Sequence, residues 1–310
     1  MYKSSLSKTL ALANEQVLAF TEMTPKTAQH ALHEHPPVFI VGPPRSGSTV
    51  LMQILAQSLN VSYLTNRHRW FYGNPAIGEI RACNRRTGQI PLHSVHGATN
   101  GPFSPWEGAS WWYRFFPREP NYVDDHVDVR VDKVGLRSSL ANWTSKAARS
   151  VLFKNLFASL RIRSLSEALP EALYLHLFRN EIDNAHSILE GRQTVNGNYT
   201  DWWSMRPPGW ESVRNEDPVT QVLFQIRRTH EVIDRDLLDF GVPKERHWAV
   251  HYEEFCTDLR TVLTGIQQFL GRYGVTPLQT DWLPDTLNRR LDLRIPKHLY
   301  SELQSKASLT

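Results

Sequence analysis

The hydrophobic pattern along the chain changes its period several times. Residues 38–41 (VFIV) form a short β-branched run between Pro36–Pro37 and Gly42, the pattern of a strand buried on both faces. Residues 49–59 (TVLMQILAQSL) then place apolar side chains at helical spacing. Three further apolar runs read as strands: 150–153 (SVLF), 172–178 (ALYLHLF) and 247–251 (HWAVH). Helical patterns cover 157–169, 182–190, 218–239 and 258–270, with Pro170, Gly191 and Gly271 as stops for the first, second and last. Strands that alternate with helices predict an α/β fold, a parallel β-sheet flanked by helices. In such sheets the ligand lies at the carboxyl ends of the strands.

Two stretches break this rhythm. Residues 61–135 are rich in Gly, Pro, Asn, His and aromatics, and residues 192–217 in Trp and Pro. Long insertions in a compact domain are usually functional, so both are expected to face a substrate. Together they hold seven of the ten tryptophans: Trp70, Trp106, Trp111, Trp112, Trp202, Trp203 and Trp210. Aromatic faces suit sugars, lipids and aromatic compounds alike, and the alternative use of these rings is to pack the loops onto the body. With no internal repeat, residues 1–310 are read as a single domain.

Composition narrows the class. Hydrophobic residues make up 41% and charged residues 21%, as in an ordinary folded protein. No apolar run approaches the ~20 residues of a membrane helix. Asn14, Glu15 and Gln16 interrupt any export-signal core at the N-terminus, which reads as an amphipathic helix. The expectation is a cytoplasmic protein without an integral membrane segment, and the Asn-x-Ser/Thr matches at Asn60, Asn142 and Asn198 are taken as chance. Cys83 and Cys256 lie far apart and form no metal or redox motif, so no metal is expected. The net charge of +4 comes from scattered arginines, which argues against a nucleic-acid partner and suits a small polyanion.

The candidate chemistry starts at VFIVGPPRSGSTVLMQIL. A buried strand, a Gly/Pro/Ser turn and a helix in that order aim backbone N–H groups and the positive helix end at one spot, where an anion fits. Gly42 and Gly47 have the spacing of a nucleotide-triphosphatase loop, but Ser48 stands where its lysine would be and the cation has moved to Arg45. Such a loop is poorly suited to a triphosphate with magnesium, yet can hold a phosphate–sulfate anhydride. A phosphate-loop kinase or nucleotide hydrolase is the competing reading. A second stretch, ALYLHLFRNEIDNAHSILEG, places Arg179 after a strand and Ser187 eight residues later on the next helix. Arginine at a strand end is a good phosphate ligand, although each residue alone is also explained as ordinary surface or helix polarity.

Together these stretches resemble the superfamily of sulfotransferases dependent on 3′-phosphoadenosine 5′-phosphosulfate (PAPS), in its bacterial branch. VGPPRSGST resembles the 5′-phosphosulfate loop and LFRNEIDNAHS the 3′-phosphate motif. VHYEEF is similar to the segment whose tyrosine lies near the adenine, and TGIQQFLG to the helix after it. The resemblance spans about residues 36–60 and 150–272. It implies a P-loop-like fold, PAPS as co-substrate, no metal, and sulfuryl transfer to a hydroxyl of a small-molecule, sugar or lipid acceptor. It further implies that Arg45, Ser46, Gly47, Ser48 and Thr49 hold the phosphosulfate, Arg179 and Ser187 the 3′-phosphate, with Tyr252 near the purine. Lys154 stands 25 residues before Arg179, near a Lys-x-His element whose histidine is the family's general base. Asn155 and Leu156 follow here instead, which also leaves open a PAPS-binding protein without activity. The expected substitute is Glu107, in FSPWEGASWWYRFF, with His93 and His96 as alternatives. A carboxylate among Trp106, Trp111 and Trp112 is expected to be partly desolvated, which favours taking a hydroxyl proton. Arg45 and Lys154 are the cations expected to meet the charge that develops in the transition state.

Overall fold

A computed structural model describes residues 10–22, 26–82, 99–123, 130–289 and 292–308. Its centre is a sheet of five parallel strands, β1 (Val38–Val41), β2 (Ser62–Tyr63), β3 (Val151–Lys154), β4 (Leu173–Phe178) and β5 (His247–His251). The strand order is β2-β3-β1-β4-β5. Successive side chains of a strand point to opposite faces, and the inner strands are apolar for that reason at every position but Lys154 of β3 and His176 of β4. Phe39, Val41, Phe153 and Tyr174 enter one core, with Trp111, Trp112 and Trp143. Val38, Ile40, Leu152, Leu173, Leu175 and Leu177 enter the other.

The helices from residue 48 onward are α1 (Ser48–Ser58), α2 (Pro75–Ala82), α3 (Ala109–Trp112), α4 (Lys133–Ala147), α5 (Ile162–Ala168), α6 (Glu181–Asn196), α7 (Pro218–Asp239), α8 (Tyr252–Thr257), α9 (Leu259–Gly271) and α10 (Lys297–Ala307). α1 and α9 cover the second core, while α4 and α5 cover the first. β3 and β4 flank β1 on opposite sides, so the loop after β1 sits where the connections diverge.

The predicted strands and the helix over 218–239 occur as read, to within a residue or two. Three differences have physical causes. The helix expected to stop at Gly191 runs on to Asn196 and ends at Gly197, which adopts a left-handed φ of 78°. Gly191 is an approach point: a Cβ there would lie 2.4 Å from the Trp203 ring. The expected helix 157–169 is split by Arg161 into a 3-10 turn, Leu156–Leu160, and α5. The N-terminal helix buries Asn14 and exposes Leu12 and Val17, because Asn14 bonds the backbone of Gly73 (2.8 Å) and Trp70 (3.2 Å). α4 and α10 were not legible as helices. Among the described residues, no helix is long and apolar enough to cross a membrane.

Candidate active site

The loop after β1 is held from behind by side chains. Ser159 Oγ accepts from the Gly42 N–H at 2.9 Å and donates to the Gly42 carbonyl at 3.0 Å. Asn184 Nδ2, on α6, donates to the Pro44 carbonyl at 2.7 Å. Arg179 Nη1 donates to the Arg45 carbonyl at 2.7 Å. These bonds hold Arg45 at a φ of 64°, a left-handed conformation that costs a non-glycine residue about 1–2 kcal/mol. A hydrogen bond from a charged donor contributes about 1.5–3 kcal/mol and offsets that cost.

Gly47 follows with a φ of 100°, and a Cβ there would lie 2.3 Å from the Tyr252 ring. Only glycine lets α1 begin this close to α8. As the N-cap of α1, Gly47 offers no side chain to the first-turn N–H groups. Those donors and the helix dipole are therefore left to an external anion. Ser46 Oγ is buried beside them with no hydrogen-bond partner among the described residues.

The second anchor folds onto the first. Arg45 Nε donates to Ser187 Oγ at 3.1 Å, so this side chain joins the loop to α6. Arg179 lies with its guanidinium carbon 4.8 Å from the Tyr252 ring centroid, and its buried Nε has no partner among the described residues. The Tyr252 hydroxyl is pushed up to about 12, chiefly by burial. Arg289, outside both motifs, reaches Asp183 (2.7 Å) and Glu253 (3.8 Å) beside the start of α6. Two buried donors without partners, an uncapped helix start and two arginines fit a ligand bearing separate phosphate and sulfate groups.

Glu107 and Lys154 meet at the third point. Lys154 ends β3 beside Ile40 of β1 and is 7% exposed. Its Nζ donates to Glu107 Oε1, and the two line a cleft with Thr49, Met52 and Trp106. Asn155 Nδ2 donates to the Glu107 backbone carbonyl at 3.0 Å, while its Oδ1 accepts from Phe157 N at 2.9 Å. The residue in the histidine's neighbourhood thus positions the carboxylate loop. Trp111 and Trp112 are not pocket walls. They are buried, Trp111 stacked on Phe153 at 5.3 Å, and pin α3 to the sheet one residue before Lys154. What Glu107 meets is the Lys154 ammonium rather than a cage of indoles. Trp202 and Trp203 likewise pack the second loop, Trp202 under Arg192 and Trp203 on Gly191. His93 and His96 lie outside the described residues.

The loop, the Arg179–Ser187 anchor and the Glu107–Lys154 pair therefore share one end of the sheet. Ser159, Asn184, Asn155 and Arg289 are site residues that the sequence did not single out. Asn184 lay within a quoted motif, and Arg289 lay outside both motifs.

Residues 36–274 match the profile of the sulfotransferase family, more than half of the chain, and the protein belongs to that family. The reaction of that family is PAPS-dependent sulfuryl transfer. Among solved structures, the sulfotransferase STF9 from Mycobacterium avium is similar at 16% identity and a TM-score of 0.59, over 96% of this chain and 82% of that one. The sulfotransferase STF1 from Mycobacterium tuberculosis H37Rv is similar at 13% identity and a TM-score of 0.48, over 88% and 77%. The first likeness supports the fold alone. No curated protein matches this chain.

Proposed function

We propose that this chain moves the sulfuryl group of PAPS to a hydroxyl of a small-molecule, sugar or lipid acceptor, with Glu107 as the base. The observation that carries the reading is the Glu107–Lys154 pair in a cleft that Thr49 of the phosphate loop also lines. PAPS supplies a phosphate–sulfate anhydride that needs no metal. Ser46, Gly47, Ser48 and Thr49 offer donors to its 5′ end, and Arg179 with Ser187 offers donors to its 3′-phosphate. Arg45 stands between the two groups. Tyr252 packs at Gly47, on the side where the purine is expected.

In the transfer, the acceptor oxygen forms a bond to sulfur and the bond from sulfur to the bridging phosphate oxygen breaks. The hydroxyl proton goes to Glu107, and the products are a sulfate ester and adenosine 3′,5′-bisphosphate. Lys154 holds the carboxylate in place before the acceptor arrives, then faces the negative charge that grows on the bridging oxygen. The almost complete burial of Lys154 strengthens that interaction.

Glu107→Gln tests the assignment. Sulfuryl transfer from labelled PAPS into a panel of hydroxylated acceptors falls by about 10²–10⁴, while bisphosphate affinity is unchanged. A variant with wild-type turnover moves the base to His93 or His96. Separately, the bisphosphate at ~100 times its Kd stabilises the wild-type fold by about 2.7 kcal/mol. Stabilisation by ATP with magnesium and none by the bisphosphate would favour the kinase reading.

A further inference from the structure

The structure also holds a larger cavity, of about 750 Å³. It is walled by Leu10 and Ala11 of the N-terminal helix, by Tyr72, and by Tyr113, Phe116 and Pro117 after α3. That volume is typical of a site for a whole small-molecule ligand. Arg69, Arg114 and Arg118 also line it, against one carboxylate, Glu15. Their states differ. Arg114 is spent on Glu22 at 2.7 Å, and Glu15 accepts from the Tyr72 hydroxyl at 3.2 Å. Arg69 and Arg118 are exposed and form no ion pair among the described residues. Each stacks on an aromatic ring, Arg69 5.8 Å from the Trp106 centroid and Arg118 5.0 Å from that of Tyr113. A guanidinium stacked by its face keeps its N–H edge free for a carboxylate.

The cavity is tied to the reaction cleft. Trp106 lines the cleft beside Glu107, and Arg69, over the same indole, lines the cavity. Ser110, another cavity residue, comes three positions after Glu107 in the chain.

We propose that this cavity binds the acceptor, and that the acceptor is a hydroxylated amphiphile carrying a carboxylate, which Arg69 and Arg118 hold while its apolar body lies against Tyr72, Phe116 and Leu10. The proposal rests on the transferase reading above and adds the acceptor class to it. The carboxylate stays intact, and only the distant hydroxyl gains the sulfuryl group and gives its proton to Glu107.

The test is calorimetric titration of ω-hydroxydodecanoate into protein saturated with adenosine 3′,5′-bisphosphate, with the methyl ester and the corresponding diol as neutral counterparts. The acid binds about tenfold or more tightly than either, as expected for a charge-assisted contact. Arg69→Gln and Arg118→Gln each shrink that preference and the double variant abolishes it, with bisphosphate affinity unchanged. Equal binding of acid and ester, no binding of either, or a preference that survives the double substitution overturns the proposal. So does faster sulfuryl transfer to the ester than to the acid. Failure of the bisphosphate to bind instead sinks the PAPS reading, and the acid-over-ester preference is then read on the nucleotide-free protein.

Discussion

Arg179→Ala removes two interactions that act on different parts of the nucleotide. One is the bond from Nη1 to the Arg45 carbonyl, at 2.7 Å, which shapes the phosphate loop. The other is the buried Nε, free of any partner among the described residues, which is the donor proposed for the 3′-phosphate. Loss of the first relaxes Arg45 from its left-handed φ of 64° and weakens every nucleotide with a 5′-phosphate. About 1 kcal/mol is expected there, or roughly fivefold in affinity. Loss of the second affects only ligands with a 3′-phosphate, by about 1.5–3 kcal/mol, or roughly 10- to 150-fold. Titration calorimetry with adenosine 3′,5′-bisphosphate and with adenosine 5′-phosphate separates the two. The monophosphate weakens about fivefold, and the bisphosphate by the product, some 50- to 750-fold. Arg179→Lys keeps the charge but not the forked geometry and falls between wild type and alanine. Equal weakening of both nucleotides by Arg179→Ala would remove Arg179 from the 3′-phosphate.

Three other substitutions or conditions probe the same architecture. Gly47→Ala drives a Cβ into the Tyr252 ring and forces a φ that alanine avoids, so bisphosphate affinity falls at least about tenfold; wild-type binding would contradict the close approach. Asn155→Asp keeps the cap on Phe157 N but turns a buried carboxylate oxygen on the Glu107 carbonyl, so kcat drops and Tm falls while bisphosphate affinity holds; an unchanged kcat would leave Asn155 with the cap alone. The imidazoles of His68 and His230 are each lowered to about 4, chiefly by burial. The unfolded chain takes up those protons near pH 6.5, so their stabilising neutrality is present above that pH and is lost as pH falls from 6.5 towards 4, at up to about 1.4 kcal/mol per pH unit for each group. Denaturant midpoints measured across that window should fall, and a flat profile would show that both groups are accessible to protons in the fold.

The parallel sheet was legible because its inner strands are almost wholly apolar, and the loop after β1 stood out because it follows a buried strand directly. The Glu107–Lys154 contact was half legible. Each residue was named, but nothing local in sequence brings positions 107 and 154 together; that pairing comes from indoles buried on β3, which the pattern offered equally as pocket walls. Asn155 was read only as a missing histidine, since its bond to the Glu107 backbone depends on where an aperiodic insertion folds back. α4 escaped notice because its buried face includes Ser139, Asn142 and Thr144, so its polar residues do not mark the solvent side. Gly191 was misread because a glycine that admits a neighbouring ring looks the same in sequence as one that ends a helix.

The double hydrogen bond between Ser159 and Gly42 has a consequence for the order of folding. It joins residues 117 positions apart. The strand and helix around the loop follow from local signals, but the bonds that shape the loop come from Ser159, Arg179 and Asn184, each more than a hundred residues further along the chain. A chain emerging from the ribosome therefore carries its most recognisable motif for more than a hundred residues before that motif can hold an anion. A nucleotide that binds only the completed loop slows unfolding and leaves the rate of folding almost untouched.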